Sequence, residues 1–268
     1  MEGGRELEGK VCAITGAGRG IGAAIAEKFA SHGGRIAILE RDRELAAETL
    51  EHLTGQGHEA RSYEVDVADE PGVIAAAEKV ASDFGTADVL VNNAGIGLLG
   101  PSMEFSLADW QASLDVMATG PFLCSREFGK LMRANDGGAI VNISSINGLD
   151  AFPMRLAYSA AKAAIVSMTQ VLAVEWAGYG IRVNAVAPGN TRAPMMQKAI
   201  DEGFIPIETY LKVTPLRRLA EPEEIAEAVL YLASPRSSFV TGQVLAADGG
   251  WTAFGWIPWT GDPESPGV

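Results

Sequence analysis

The stretch from Val11 to Ser31, VCAITGAGRGIGAAIAEKFAS, decides the fold. Val11 to Thr15 is an apolar, β-branched run that predicts a strand, and Ile21 to Ser31, rich in alanine, predicts a helix. Between them lies Thr15-Gly16-Ala17-Gly18-Arg19-Gly20-Ile21-Gly22. Glycines permit a tight turn and a close approach of backbone to phosphate, and a helix N-terminus supplies free N–H groups with a partial positive charge. A Gly-x-Gly-x-x-Gly pattern alone is a weak signal. Placed between a strand and a helix, it predicts nucleotide binding ahead of a merely structural turn.

Outward from this unit the alternation repeats. Strands are predicted at Arg35 to Glu40, Ala60 to Val65, Asp88 to Asn92, Ala139 to Ser144, Arg182 to Ala187 and Gln243 to Ala247. Helices are predicted around Leu45 to Leu53, Val73 to Phe84, Leu107 to Asn135, Tyr158 to Gly178 and Glu223 to Ala233. Repeated βα units with near-continuous apolar strands predict a parallel sheet covered on both faces. The expected fold class is therefore α/β, a single doubly wound, Rossmann-like domain over residues 1–268, with ligands at the carboxyl ends of the strands. Two stretches break the rhythm. Residues 190–219 carry Pro194, Pro206 and Pro215 and read as a lid. The tail 251–268, with Trp251, Phe254, Trp256 and Trp259, is expected to pack on a neighbouring subunit or over a pocket.

Composition narrows the function. The chain has 268 residues, 47% of them hydrophobic, which is ample for a large core. A net charge of −13 repels phosphate backbones and anionic lipid, so neither nucleic acid nor membrane is an expected partner. Cys12 and Cys124 stand far apart in apolar stretches, a usage that suits a reducing cytoplasm. Residues 1–10 alternate acid and base without an apolar core and read as no signal peptide. No cluster with metal-ligand spacing is present, and no metal is expected.

Glu40 ends the second predicted strand, 18 residues beyond Gly22. A carboxylate there accepts hydrogen bonds from both ribose hydroxyls and repels a 2′-phosphate, which favours NAD. The alternative is a solvated acid paired with Arg41 or Arg43. Arg19 and Arg41 stand where a 2′-phosphate could be held, so NADP is the alternative cofactor. Tyr158 and Lys162 are spaced i, i+4 on a predicted helix and face the same way. An ammonium beside a phenol favours the phenolate and makes an acid/base for a secondary alcohol. Ser145 follows a strand end, where its hydroxyl could orient a carbonyl oxygen.

Together these residues resemble the short-chain dehydrogenase/reductase family over about residues 8 to 250. The matching motifs are Thr15-Gly16-x-x-x-Gly20-Ile21-Gly22, Asp66-Val67, Asn92-Asn93-Ala94-Gly95, Ser145, Tyr158-x-x-x-Lys162, Asn184 and Pro188-Gly189. The resemblance implies that Asp66 and Val67 hold the adenine and that Asn93, Ala94 and Gly95 line the cofactor cleft. It implies Tyr158 as the acid/base, Ser145 as the residue that positions the substrate oxygen, and Lys162 as the group that binds the nicotinamide ribose and tunes Tyr158. It also implies a homotetramer, or a dimer. Two departures stand out. Met117 occupies the position where the family usually has an Asn that helps hold a proton-relay water. Ala193 replaces a Thr that touches the cofactor, with Thr191 as a substitute two residues earlier.

The substrate is expected to meet Ser145, Asn147, Arg155, Tyr158, Asn190, Met195 and Met196. Asn147 and Arg155 offer a polar grip that suits a sugar, a polyol or a hydroxy acid, though each also reads as an ordinary turn or solvated residue. Met195 and Met196 offer an adaptable apolar wall. The leading expectation is an NAD-dependent dehydrogenase of a sugar or polyol, acting on a small molecule in the cytoplasm. The alternatives are an NADPH-dependent reductase of a ketone or 3-oxoacyl substrate, a nucleotide-binding regulator that has lost catalysis with Met117 as the scar, and a structural oligomer held by the aromatic tail.

Overall fold

Neighbouring residues on a strand point to opposite faces of a sheet, so an apolar run with no polar alternate has to be covered twice. The computed structural model describes residues 5–203 and 207–254. Its first strand, β1 (Val11–Thr15), sends Cys12 and Ile14 into one core and Val11 and Ala13 into another. Six further strands follow: β2 (Arg35–Glu40), β3 (Ala60–Glu64), β4 (Val89–Asn92), β5 (Gly138–Ile143), β6 (Ile181–Pro188) and β7 (Val244–Ala247). They form one sheet in the order β3-β2-β1-β4-β5-β6-β7, and every pair is parallel. This is the doubly wound α/β sheet expected from the sequence.

The helices are α1 (Gly20–Ser31), α2 (Arg43–Gly55), α3 (Glu70–Phe84), α4 (Leu107–Leu114), α5 (Gly120–Ala134), α6 (Leu156–Trp176), α7 (Pro194–Asp201), α8 (Ile207–Val213) and α9 (Pro222–Ala233). On one face α1 and α9 bury Ile25, Phe29, Ile225 and Val229. On the other α3 and α5 bury Val80, Phe84, Leu123 and Phe128. Sheet order reverses between β1 and β4, so the loops after these two strands part around a crevice, the place where such sheets bind ligands.

The structure adds detail to three expectations. The chain is helical throughout Leu107 to Ala134, close to the helix expected over Leu107 to Asn135, with a π-helical turn, Asp115–Thr119, between α4 and α5. The segment 190–219 holds two short helices, α7 and α8, and its Pro206 lies outside the described residues. Of the aromatic tail, Trp256 and Trp259 also lie outside them. Trp251 is buried within its own chain, stacked on Phe152 with ring centroids 5.4 Å apart and tilted against Tyr210 at 5.7 Å.

The stretch Leu156–Tyr179, with a mean hydropathy of 1.3, is the one helix among the described residues long and apolar enough to cross a bilayer. In the fold it lies along the sheet, with Ala161, Lys162, Ile165, Thr169 and Ala173 buried.

Candidate active site

The loops after β1 and β4 meet at the reversal point, and side chains of the loops tie them. Thr15 Oγ1 accepts the backbone N–H groups of Asn93 (2.9 Å) and Ala94 (3.0 Å). Asn93 Nδ2 returns the contact by donating to the carbonyls of Thr15 and Gly16, both at 3.0 Å. Only glycine suits the turn. Gly16 has φ +63, and a Cβ there would stand 2.8 Å from Ala94 Cα. A Cβ on Gly22 would stand 2.1 Å from the Gly16 carbonyl oxygen. Helix α1 starts with Arg19 at its cap position and no side-chain cap, so its first N–H groups remain for an incoming anion. This glycine cradle fits the diphosphate of a dinucleotide, with Gly20 and Ile21 opening the helix above it.

Glu40 stands beside the cradle. Its carboxylate accepts three backbone N–H groups: Gly18 at 3.2 Å, Arg41 at 2.9 Å and Asp42 at 3.1 Å. The neighbouring arginines are engaged elsewhere, Arg41 with Asp66 at 3.4 Å and Arg43 with Glu64. Arg19 is exposed at the lip of the loop. Asp66 caps its own turn by accepting the N–H of Ala68 at 3.0 Å, and Val67 is buried against Gly120.

On the far side of the crevice lie Ser145, Tyr158 and Lys162. Ser145 follows β5 and is buried, and the Asn147 backbone N–H donates to its hydroxyl at 3.1 Å. Lys162 is buried on α6 one turn beyond Tyr158, its ammonium 5.6 Å from the centre of the Tyr158 ring. Burial pushes the Tyr158 phenol up from its ordinary value, opposed by its hydrogen bond with Ser145 and by the charge of Arg155. Burial also lowers Lys162, to about 8. The Lys162 ammonium donates to the Ile143 carbonyl at 2.7 Å, and Ser145 and Arg155 act on the phenol in favour of its ionised form.

Met117 lies in the π-helical turn, fully buried, with its sulfur 3.6 Å from the point where a Cβ on Gly95 would stand. The irregular turn thus forms without the Asn usual in the family, and an apolar side chain fills the space beneath Gly95. Met117→Asn would put an amide into this apolar site. It is expected to cost about 1–3 kcal/mol in thermal or denaturant melts. Turnover should change by less than about tenfold, whereas a gain of about a hundredfold would show that Met117 limits the natural rate.

The remaining residues read from the sequence fall in two places. Pro188 is buried at the end of β6, and Gly189 lies so close to the next segment that a Cβ would meet Asp248 Cα at 2.7 Å. Thr191 donates its hydroxyl to the Gly189 carbonyl at 3.1 Å and is buried, so in this state it braces the loop. Met195 packs over Gly97. Asn147 is buried, its Oδ1 accepting from the Ser145 hydroxyl at 3.3 Å, while its Nδ2 is buried without a partner. Arg155 stands one turn before Tyr158 and touches the Tyr210 hydroxyl at 3.5 Å.

Sequence reading passed over two features. One is a buried chain of amides and hydroxyls beneath the site, Ser125–Asn92–Asn142–Thr169, with links of 2.8 to 2.9 Å. Polar residues on apolar strands were its available signal. The other is Tyr210, which nothing in the local sequence connects to Trp251.

Residues 16–252 match the family described as Enoyl-(Acyl carrier protein) reductase. The chain is 41% identical to D-threitol dehydrogenase of Mycolicibacterium smegmatis, over 92% of this chain and 94% of that one. It is also 41% identical to galactitol 2-dehydrogenase (L-tagatose-forming) of Cereibacter sphaeroides, over 92% and 97%. Among solved structures, a gluconate 5-dehydrogenase of Burkholderia cenocepacia in complex with NADP and tartrate superposes with a TM-score of 0.88 at 35% identity, covering 93% of this chain and 97% of that one.

Proposed function

The chain belongs to the short-chain dehydrogenase/reductase family and is an NAD(P)-dependent oxidoreductase acting on alcohol groups; within that class we propose that it oxidises a secondary alcohol of a sugar or polyol, with NAD as the preferred cofactor and Tyr158 as the acid/base. The gathering of Ser145 after β5 with Tyr158 and Lys162 on α6, at the carboxyl end of the sheet beside the glycine cradle, carries this reading. The likeness to threitol and galactitol dehydrogenases supports the substrate class.

A bound nicotinamide would supply the acceptor for the hydride of the carbinol carbon. The chain's residues do the rest. The glycine loop with Arg19 and Ile21 holds the diphosphate. Glu40 takes the adenosine ribose, Asp66 and Val67 the adenine, and Asn93 to Gly95 with Pro188, Gly189 and Thr191 line the cleft. Ser145 holds the substrate oxygen, and Tyr158 removes its proton as the C–H bond breaks. Lys162, anchored on the Ile143 carbonyl, takes the nicotinamide ribose and keeps a positive charge beneath the site. A ketone, a reduced cofactor and one proton result.

The preference for NAD rests on Glu40. Its carboxylate already occupies three N–H groups, so a 2′-phosphate would meet a fixed negative charge and lose those donors. Glu40→Ala is expected to reduce the NAD⁺-over-NADP⁺ ratio of kcat/KM by about tenfold or more. Parallel kinetics with both cofactors check it, and a wild-type preference for NADP⁺ would reverse the assignment. The second reading is an NADPH-dependent reductase of a ketone or 3-oxoacyl substrate. It is supported by exposed Arg19 and Arg41 at the lip of the loop and by the NADP of the gluconate 5-dehydrogenase structure.

The proposal extends to a cytoplasmic homotetramer. Two free, buried cysteines support a reducing compartment. Exposed Val171 and Val174 on α6 and Phe122 on α5 support an apolar contact between subunits.

A further inference from the structure

Arg155 differs from three other arginines around the cleft. Arg41 is paired with Asp66, Arg192 with Glu221 and Arg218 with Glu224. Arg155 is half-buried, and its contacts are with rings: the Tyr210 hydroxyl at 3.5 Å and the face of Phe152, whose centre is 5.9 Å from the guanidinium carbon. Trp251 stacks on Phe152 and leans on Tyr210, so three aromatic residues from three distant parts of the chain hold the guanidinium in place. No carboxylate among the described residues pairs with it, in a chain that carries 34 acidic side chains. A partly desolvated guanidinium is costly without an anion, and its planar fork matches a carboxylate with two parallel hydrogen bonds. Its position is also informative. Arg155 precedes Tyr158 by one turn at the start of α6, close enough for its charge to act on the phenol. On the same side, Asn147 leaves a buried Nδ2 donor without a partner next to Ser145.

We infer that Arg155 is a specificity-determining residue that receives a carboxylate of the substrate, so that the sugar or polyol oxidised at Tyr158 is turned over best when it carries a carboxylate, as a short polyhydroxy acid does. The rings of Phe152, Tyr210 and Trp251 fix the guanidinium and exclude water from behind it, and the Asn147 amide donates to a hydroxyl near the reacting carbon. Arg155 precedes Tyr158 by only three residues at the start of α6, which suits a short acid rather than a long one. This inference rests on Tyr158 acting on an alcohol, as proposed above.

The test is a comparison of matched pairs with NAD⁺: D-gluconate against D-glucitol, and L-threonate against L-threitol. The wild type is expected to prefer the acid of at least one pair by kcat/KM. Arg155→Leu is expected to lower the acid-over-alditol ratio about 100-fold, mainly through KM for the acid, and Arg155→Lys to restore part of it. NADH binding by fluorescence confirms that each variant is folded. If Arg155→Leu does not fold, the wild-type preference and Arg155→Lys decide. Equal or better turnover of the alditols overturns the inference and leaves the polyol reading standing, as does an unchanged ratio in Arg155→Leu. Failure of wild type to oxidise any of the four, in protein that binds NADH, overturns the polyol reading and this inference with it.

Discussion

Tyr158→Phe is expected to lower kcat for alcohol oxidation by about 10³-fold or more, the upper part of the range for loss of a positioned acid/base. The substitution removes one oxygen and keeps the ring that packs near Lys162, so NADH affinity should stay within about threefold while about 4 kcal/mol of transition-state stabilisation is lost. The environment explains why the loss is large. Desolvation pushes the phenol up while Ser145 and Arg155 oppose the shift, so the proton is transferred at one positioned oxygen that phenylalanine lacks. For the same reason oxidation by the wild type should speed up as pH rises through the neutral range, because the deprotonated phenol is the active base and is scarce there. Single-turnover kinetics with saturating NAD⁺ separate the chemical step from cofactor release. A Tyr158→Phe enzyme within tenfold of wild type would remove Tyr158 from the chemistry.

Gly22→Ala is expected to be the most damaging single methyl group in the molecule. Its Cβ would lie 2.1 Å from the Gly16 carbonyl oxygen and 2.5 Å from Asn93 Nδ2, the two groups that join the loops at the reversal point of the sheet. Neither can yield without breaking the cradle: one is backbone, and the other is held by two carbonyls. A loss of about 3 kcal/mol in stability is expected, at the upper end for overpacking, with NADH binding weakened about 100-fold or more. Gly55→Ala is the control, since a Cβ there meets nothing within 4 Å and should leave both quantities nearly unchanged. Thermal melts and NADH titration read both. Wild-type behaviour of Gly22→Ala would mean that the loops do not approach as described.

Most strands were legible because a parallel sheet buried on both faces is written as short, nearly continuous apolar runs, and each predicted strand lies within a residue or two of its observed place; β3, ARSYE, is polar and largely exposed at the sheet edge. The glycine turn and Glu40 were legible for a local reason: chain direction and spacing bring them to one strand edge. The π-helical turn inside the long helix was not, because Asp115-Val116-Met117-Ala118-Thr119 contains neither proline nor glycine. Spacing on a helix shows that Tyr158 and Lys162 face one way, but not that the Ile143 carbonyl lies beneath the ammonium and draws it off. Asn147 was read as a substrate contact from its place beside Ser145, but the local sequence does not show that its backbone N–H and Oδ1 are engaged with Ser145 and that Nδ2 is the group left over. The ring cluster around Arg155 joins residues 152, 210 and 251, and no short-range pattern relates positions so far apart.

The most direct measurement is the absorbance change on reduction of NAD⁺ and NADP⁺ by purified protein across sugars, polyols, hydroxy acids and simple secondary alcohols, with Tyr158→Phe run beside it as the blank. Turnover of a polyhydroxylated substrate that prefers NAD⁺ and disappears in Tyr158→Phe is the predicted result. Silence across the panel in protein that binds NADH, or turnover that survives in Tyr158→Phe, would contradict it.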